Sequence, residues 1–131
     1  MTPSELGIIG APTSAAAHFI GQEQGPDHFR RNGLLSKLVE HGFDPIDLGD
    51  LPHTPFEPDP NSRGLRSVPR VADFARQVAG SVAIAASSGL RTIIAGGDCS
   101  ITVGVVSGLA RMRERVGVAY LDGHFDLNTV E

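Results

Sequence analysis

Short apolar runs alternate along the chain with amphipathic stretches, each closed by glycine or proline, and that alternation predicts a parallel α/β sheet. The first run covers 6–11 and stops at Ala11-Pro12. A polar, glycine-containing loop follows to Gly25. A helix is expected over 26–40, with Pro26 in the first turn, where a missing N–H costs nothing, and His41-Gly42 as its end. A second strand over 43–48 leads into 49–69, an aperiodic loop holding five prolines; loops of that length are commonly functional or mobile. Val71, Phe74, Ala75, Val78, Ala79, Val82 and Ala86 recur at three- and four-residue spacing, which predicts a helix over 70–88 with one buried face. A third strand over 91–95, a helix over 101–113 and a fourth strand over 116–121 complete the pattern. Neither an internal repeat nor an interdomain linker interrupts it, so 1–131 reads as part of one domain.

Polar clusters follow the last two runs, where open α/β sheets place their ligands. In Asp122-Gly123-His124-Phe125-Asp126, positions i, i+2 and i+4 of an extended segment project to one side, so Asp122, His124 and Asp126 can converge. Carboxylates suit Mn²⁺ or Mg²⁺, and imidazole admits Mn²⁺, Zn²⁺, Fe²⁺ or Co²⁺, so the mixture favours a borderline divalent ion. The plain alternative is a hydrogen-bonded His124 with the aspartates capping a turn.

Gly96-Gly97-Asp98-Cys99-Ser100 also has more than one reading. It can be a strand-to-helix turn capped by Asp98 or Ser100, or it can deliver Cys99 as a metal ligand beside Asp122. A phosphate-binding loop is disfavoured, since neither Gly-x-Gly-x-x-Gly nor a Walker lysine is present. Arg30, Arg31, His18, His28, His41 and His53 read as surface or helix-face residues outside the candidate site.

Composition narrows the function classes. The 131 residues, 40% of them apolar, suffice for a buried core. Fifteen acidic against eleven basic residues, a formal charge of −4, offer no electrostatic case for nucleic acid or an anionic membrane. No apolar stretch reaches the roughly 18 residues of a spanning helix, and no secretory leader pattern is visible, so a cytoplasmic location is expected. One cysteine permits no internal disulfide.

Taken together, the motifs resemble the ureohydrolase family that includes arginase, agmatinase and formimidoylglutamase. Ile9-Gly10-Ala11-Pro12, Gly25-Pro26 and Asp47-Leu48-Gly49-Asp50-Leu51 look like the family's early landmarks. Its signature pair, Gly-Gly-Asp-His-Ser and Asp-Ala-His-x-Asp, is matched by Gly96 to Ser100 and Asp122 to Asp126, with Asp122 following Cys99 by 23 positions. The resemblance implies a three-layer α/β/α parallel sheet, of which this chain is an incomplete, amino-terminal part. It also implies a binuclear centre, Mn²⁺ preferred, that hydrolyses a guanidinium carbon–nitrogen bond. By motif position Asp122 bridges the ions, His124 binds one and Asp126 the other. Asn128 faces the substrate as in arginases, which tilts the expectation to arginine, giving ornithine and urea. A homo-oligomer is expected for the complete protein.

Two departures stand out. Cys99 occupies the position of a family histidine, which moves metal preference towards Zn²⁺ or Fe²⁺, or else makes Cys99 a small buried residue. The family's later Asp-x-Asp ligands have no counterpart in these residues. The isolated chain is therefore expected to show little or no activity. Two alternatives stay open: a non-catalytic module with a degenerate metal site acting through protein interaction, and an enzyme completed by a second polypeptide.

Overall fold

A computed structural model describes residues 4–59 and 67–123. Its sheet has three parallel strands in the order β2, β1, β3, with β1 (Ser4–Ala11) central, β2 (Phe43–Asp50) on one side and β3 (Arg91–Gly96) on the other. Ile8 of β1 sits between Asp47 and Ile93, and Ala11 pairs with Gly96, so the ends of β1 and β3 lie level. Beyond β1 the chain stays extended far enough for Thr13 to bridge Thr54. Central position explains the composition of β1, which is buried from Leu6 to Ala11 and carries no charge there.

Helices α1 (Gly25–Arg31) and α2 (Leu34–Glu40) connect β1 to β2, and α3 (Val68–Ser87) connects β2 to β3. The two crossovers step across the sheet in opposite directions, so the right-handed rule sends them to opposite faces. Side chains of β3 agree with this. Ile94 packs with Phe74, Val78 and Val82 of α3, whereas Ile93 and Ala95 line a hollow with Phe29 and Leu34 from α1 and α2. The expected three layers are thus present. Helix α4 (Ile101–Ala110) lies on α3, and Gly104 and Gly108 allow the close approach, since a Cβ on either would collide with α3 backbone and valine side chains.

Beyond shifts of one or two residues at element ends, the structure departs from the sequence expectation in three places. The single helix over 26–40 is divided, because Gly33 takes a left-handed conformation at φ 82° that breaks the ladder between α1 and α2. The last helix stops at Ala110, and the arginine-rich end that follows is solvated. The fourth strand is corrected: 116–121 has no strand pairing, and Val118, Tyr120 and Leu121 are 56%, 44% and 98% exposed. An apolar run sets only a preference for extended backbone. The ladder and the covering layers must come from other elements, and no described element provides them for 116–121.

Candidate metal-binding strand end

The turn after β3 is welded to the loop after β1. The Gly97 amide donates to the Ala11 carbonyl at 3.2 Å and the Asp98 amide to the Thr13 carbonyl at 3.0 Å. Gly97 is required there, because a Cβ would overlap the Thr13 backbone. Asp98 is 5% exposed, and its carboxylate accepts from the Ala16 amide at 2.9 Å, from the Ser100 amide at 3.1 Å and from the Ser100 hydroxyl. Ser100 holds the cap position of α4 but makes no side-chain cap bond. Of the two residues considered as cap, Asp98 therefore binds the first turn, and it ties that turn to a loop 82 positions earlier. Its acceptor capacity is directed into the protein.

Glu23 anchors the other end of the same loop. It is buried beside Ser14, whose hydroxyl donates to the carboxylate while its oxygen accepts the Glu23 amide at 3.0 Å. The Gly21 amide adds a bond of 2.8 Å. Burial, the largest influence, pushes the Glu23 carboxyl up. The Ser14 hydroxyl, the Glu23 and Gly21 amides and the charge of His53 together outweigh it, and the group titrates below its usual range. Nothing in the sequence reading singled out Glu23. The available signal was an acid lodged between Gly21 and Gly25-Pro26, immediately before a proline-started helix.

Arg30 performs a third fixing role on α1. Its guanidinium grips Asp47 with bonds of 2.8 and 2.9 Å and reaches Asp50 at 2.5 Å, joining the helix to the end of β2. The Arg30 fork holds the Asp47 carboxyl below its usual range against the opposing effect of burial, and Arg30 itself is raised. His28 and His41 contact the carbonyls of Gln24 and Lys37, each four positions earlier in the chain. His18, by contrast, lines the same hollow as Cys99.

Cys99 is exposed at the tip of the turn, which overturns its reading as a small buried residue. Turn geometry decides this: Asp98 points inward to its three donors, and the next side chain faces out. The hollow it borders, of about 710 Å³, is walled by Ala16 to Ile20 and by Gln22, Gly97 and Asp98. Asp122 lies in the exposed segment beyond 121. His124, Asp126 and Asn128 lie outside the described residues. The donor types, one thiol, two carboxylates and one imidazole, fit a borderline divalent ion. Among the described residues no three such donors are gathered.

A three-layer parallel sheet with a pinned turn at the carboxyl end of β3 defines an α/β protein of the class that keeps its chemistry at strand ends. Within that class the chain belongs to the arginase family, whose pattern matches residues 4–131. Human arginase-1 is 39% identical over 124 residues, covering 95% of this chain and 38% of that protein. Mitochondrial arginase-2 of Bos taurus is 38% identical over 125 residues, covering 95% of this chain and 35% of that one. The native Bacillus caldovelox arginase structure superposes with a TM-score of 0.79 at 32% identity, over 98% of this chain and 43% of that chain. The chain thus spans about two fifths of the length of the relatives it matches.

Proposed function

We propose that these residues supply one side of an arginase-type binuclear centre acting on a guanidino substrate, arginine first, with ornithine and urea as products. Cys99, Asp122, His124 and Asp126 are its ligands from this chain, and Asn128 contacts the substrate's carboxylate. The match to the arginase family over residues 4–131 carries this reading. It is supported by the turn that fixes Cys99 at a strand end while Asp98 is held away from solvent. Divalent ions held by Cys99, Asp122, His124 and Asp126 would supply Lewis acidity and make a water acidic enough to attack near neutral pH. The part played by this chain is to hold donors and substrate in place.

Mn²⁺ is the preferred ion, with Zn²⁺ or Fe²⁺ drawn in by the softer Cys99 thiolate. Cytoplasmic location and a homo-oligomeric complete protein belong to the same proposal. Two Mn²⁺ ions prefer about six ligands each, more than four side chains provide, so arginine turnover by these 131 residues alone stays near background.

Calorimetric titration with Mn²⁺ and with Zn²⁺ tests the reading. Saturable binding of a divalent ion, weakened at least about tenfold by Asp122→Ala, is the expected result, together with stronger Mn²⁺ binding by Cys99→His. Binding indifferent to Asp122→Ala sinks the ligand assignment. Robust ornithine release by the 131-residue chain alone would overturn the need for further ligands.

A non-catalytic interaction module is the second reading. It is favoured by the described sheet, in which β3 pairs with β1 alone and so has one open edge. Absence of any divalent-ion binding would select it.

A further inference from the structure

Glu23 is a buried carboxylate that the metal-ligand reading leaves without a role, and its loop meets the Cys99 turn at both ends. At the first end the Thr13 carbonyl accepts the Asp98 amide at 3.0 Å, and the Ala16 amide donates to the Asp98 carboxylate at 2.9 Å. At the second end Gly25 lies so close to the turn that a Cβ on it would overlap the Gly96 carbonyl oxygen. Gly96 to Asp98 are thus gripped from two directions by one loop. The Glu23–Ser14 pair closes the grip. Ser14 is fully buried, its hydroxyl donates to the Glu23 carboxylate, and its oxygen accepts the Glu23 amide at 3.0 Å. The same carboxylate oxygen takes the Gly21 amide at 2.8 Å. On the other side the Ser14 amide donates to the Thr54 carbonyl at 2.9 Å, so the clasp is anchored to the chain beyond β2. An acceptor shared by a buried hydroxyl and an amide is costly to remove.

We propose that Glu23 is a positioning residue for the Cys99 turn: by clasping Ser14 it holds both ends of the loop against Gly96 to Asp98, in the geometry that presents the Cys99 thiolate to a divalent ion. The proposal rests on the reading of Cys99 as a ligand. It adds that the affinity of the site depends on a carboxylate that is not itself a ligand. Metal sites respond strongly to the groups that orient their ligands. Here the orienting contacts are the Ala16–Asp98 bond and the close approach of Gly25 to Gly96, and Glu23 sits where the two meet. Releasing the clasp frees both ends of the loop at once, so the turn loses its fixed position while β1, α3 and β3 keep their packing.

The test follows Co²⁺ binding to the 131-residue chain by the thiolate-to-cobalt absorption band, which reports ligation by Cys99, the single cysteine. Glu23→Ala is expected to weaken Co²⁺ binding about fivefold or more. Glu23→Gln, which keeps an oxygen for Ser14 and Gly21, should recover most of that loss. Val82→Ala trims buried packing in the α3 core instead of the clasp, so it should lower stability and leave the Co²⁺ affinity of the folded chain unchanged. Circular dichroism checks that each variant folds; should Glu23→Ala not fold, Glu23→Asp, one methylene shorter, takes its place. Co²⁺ binding unaffected by withdrawal of the carboxylate overturns the proposal. An equal loss in Val82→Ala also overturns it, by making the effect one of stability alone. A wild-type chain without a thiolate band defeats the ligand assignment instead, and exchange of the Ala16 amide then decides the clasp. Exchange about fivefold faster in Glu23→Ala sustains it, and unchanged exchange overturns it.

Discussion

The strand end at 96–100 and the segment at 116–122 carry the two halves of one sequence signature, yet they are built in different ways. At 96–100 the turn is bonded to a distant loop: Gly97 to Ala11, and Asp98 to Thr13 and Ala16, with Ser100 closing on Asp98 from within. At 116–121 the run that should be its neighbour in the sheet has no strand pairing, and Leu121 is 98% exposed. Apolar pattern is shared by both. What separates them is supply, since the first draws its hydrogen bonds and cover from β1, the 12–24 loop, α3 and α4, and the second is in no described strand ladder and leaves Val118 and Leu121 exposed. Two stretches with the same apolar pattern can therefore differ, among the described residues, in how firmly the fold holds them.

Substitutions should sort the two regions by stability. Phe74, 2% exposed, underlies the α3 layer that supports β3, so Phe74→Ala is expected to cost about 4 kcal/mol in urea unfolding. Gly97→Val should cost about 3 kcal/mol, because its Cβ must displace the Thr13 backbone. Asp98→Ala leaves the Ala16 and Ser100 amides without their carboxylate acceptor and is expected to cost about 2 kcal/mol.

Glu23→Gln is milder at neutral pH, about 1 kcal/mol, and its signature lies in the pH profile. The folded Glu23 carboxyl titrates below its ordinary value of 4.5, so the unfolded chain binds protons more readily. Its contribution is complete above that value and is lost as pH falls through the lower folded one. Asp47, also held low, acts in the same direction. Wild type should therefore lose more stability than Glu23→Gln between neutral pH and pH of about 3, as read from urea midpoints. The smallest effect belongs to the other region: Leu121→Asp should change stability by less than about 0.5 kcal/mol. A loss like that at Phe74 would show that 116–121 is packed after all.

Much of this was legible in the residues. β1 and β3 followed from apolar runs ended by Ala11-Pro12 and Gly96-Gly97, most of β2 from the short stretch over 43–48, and α3 from the spacing of Phe74, Val78 and Val82, because local periodicity reports which side is buried. Gly33 was harder, since a glycine inside a helical pattern is tolerated as often as it breaks one. The strand over 116–121 was misread for the opposite reason: its local signal is strong, but a strand is a relation between segments. The location of the candidate site, after β3, was also visible in the glycine pair. The roles of Asp98 and Glu23 were not, as each depends on a partner brought near only by folding: Ala16 lies 82 positions from Asp98, and Ser14 faces Glu23 across a loop. Likewise, the exposure of Cys99 followed from the inward turn of Asp98, which no pattern of types reveals.

Native-state amide hydrogen exchange resolved by residue tests the contrast most directly, because protection reports hydrogen bonding and local opening in each segment separately. The amides of Gly97 and Asp98, bonded to Ala11 and Thr13, should exchange slowly, while those of Val118 and Leu121 exchange close to the unprotected rate. Equal protection in the two segments would contradict the account.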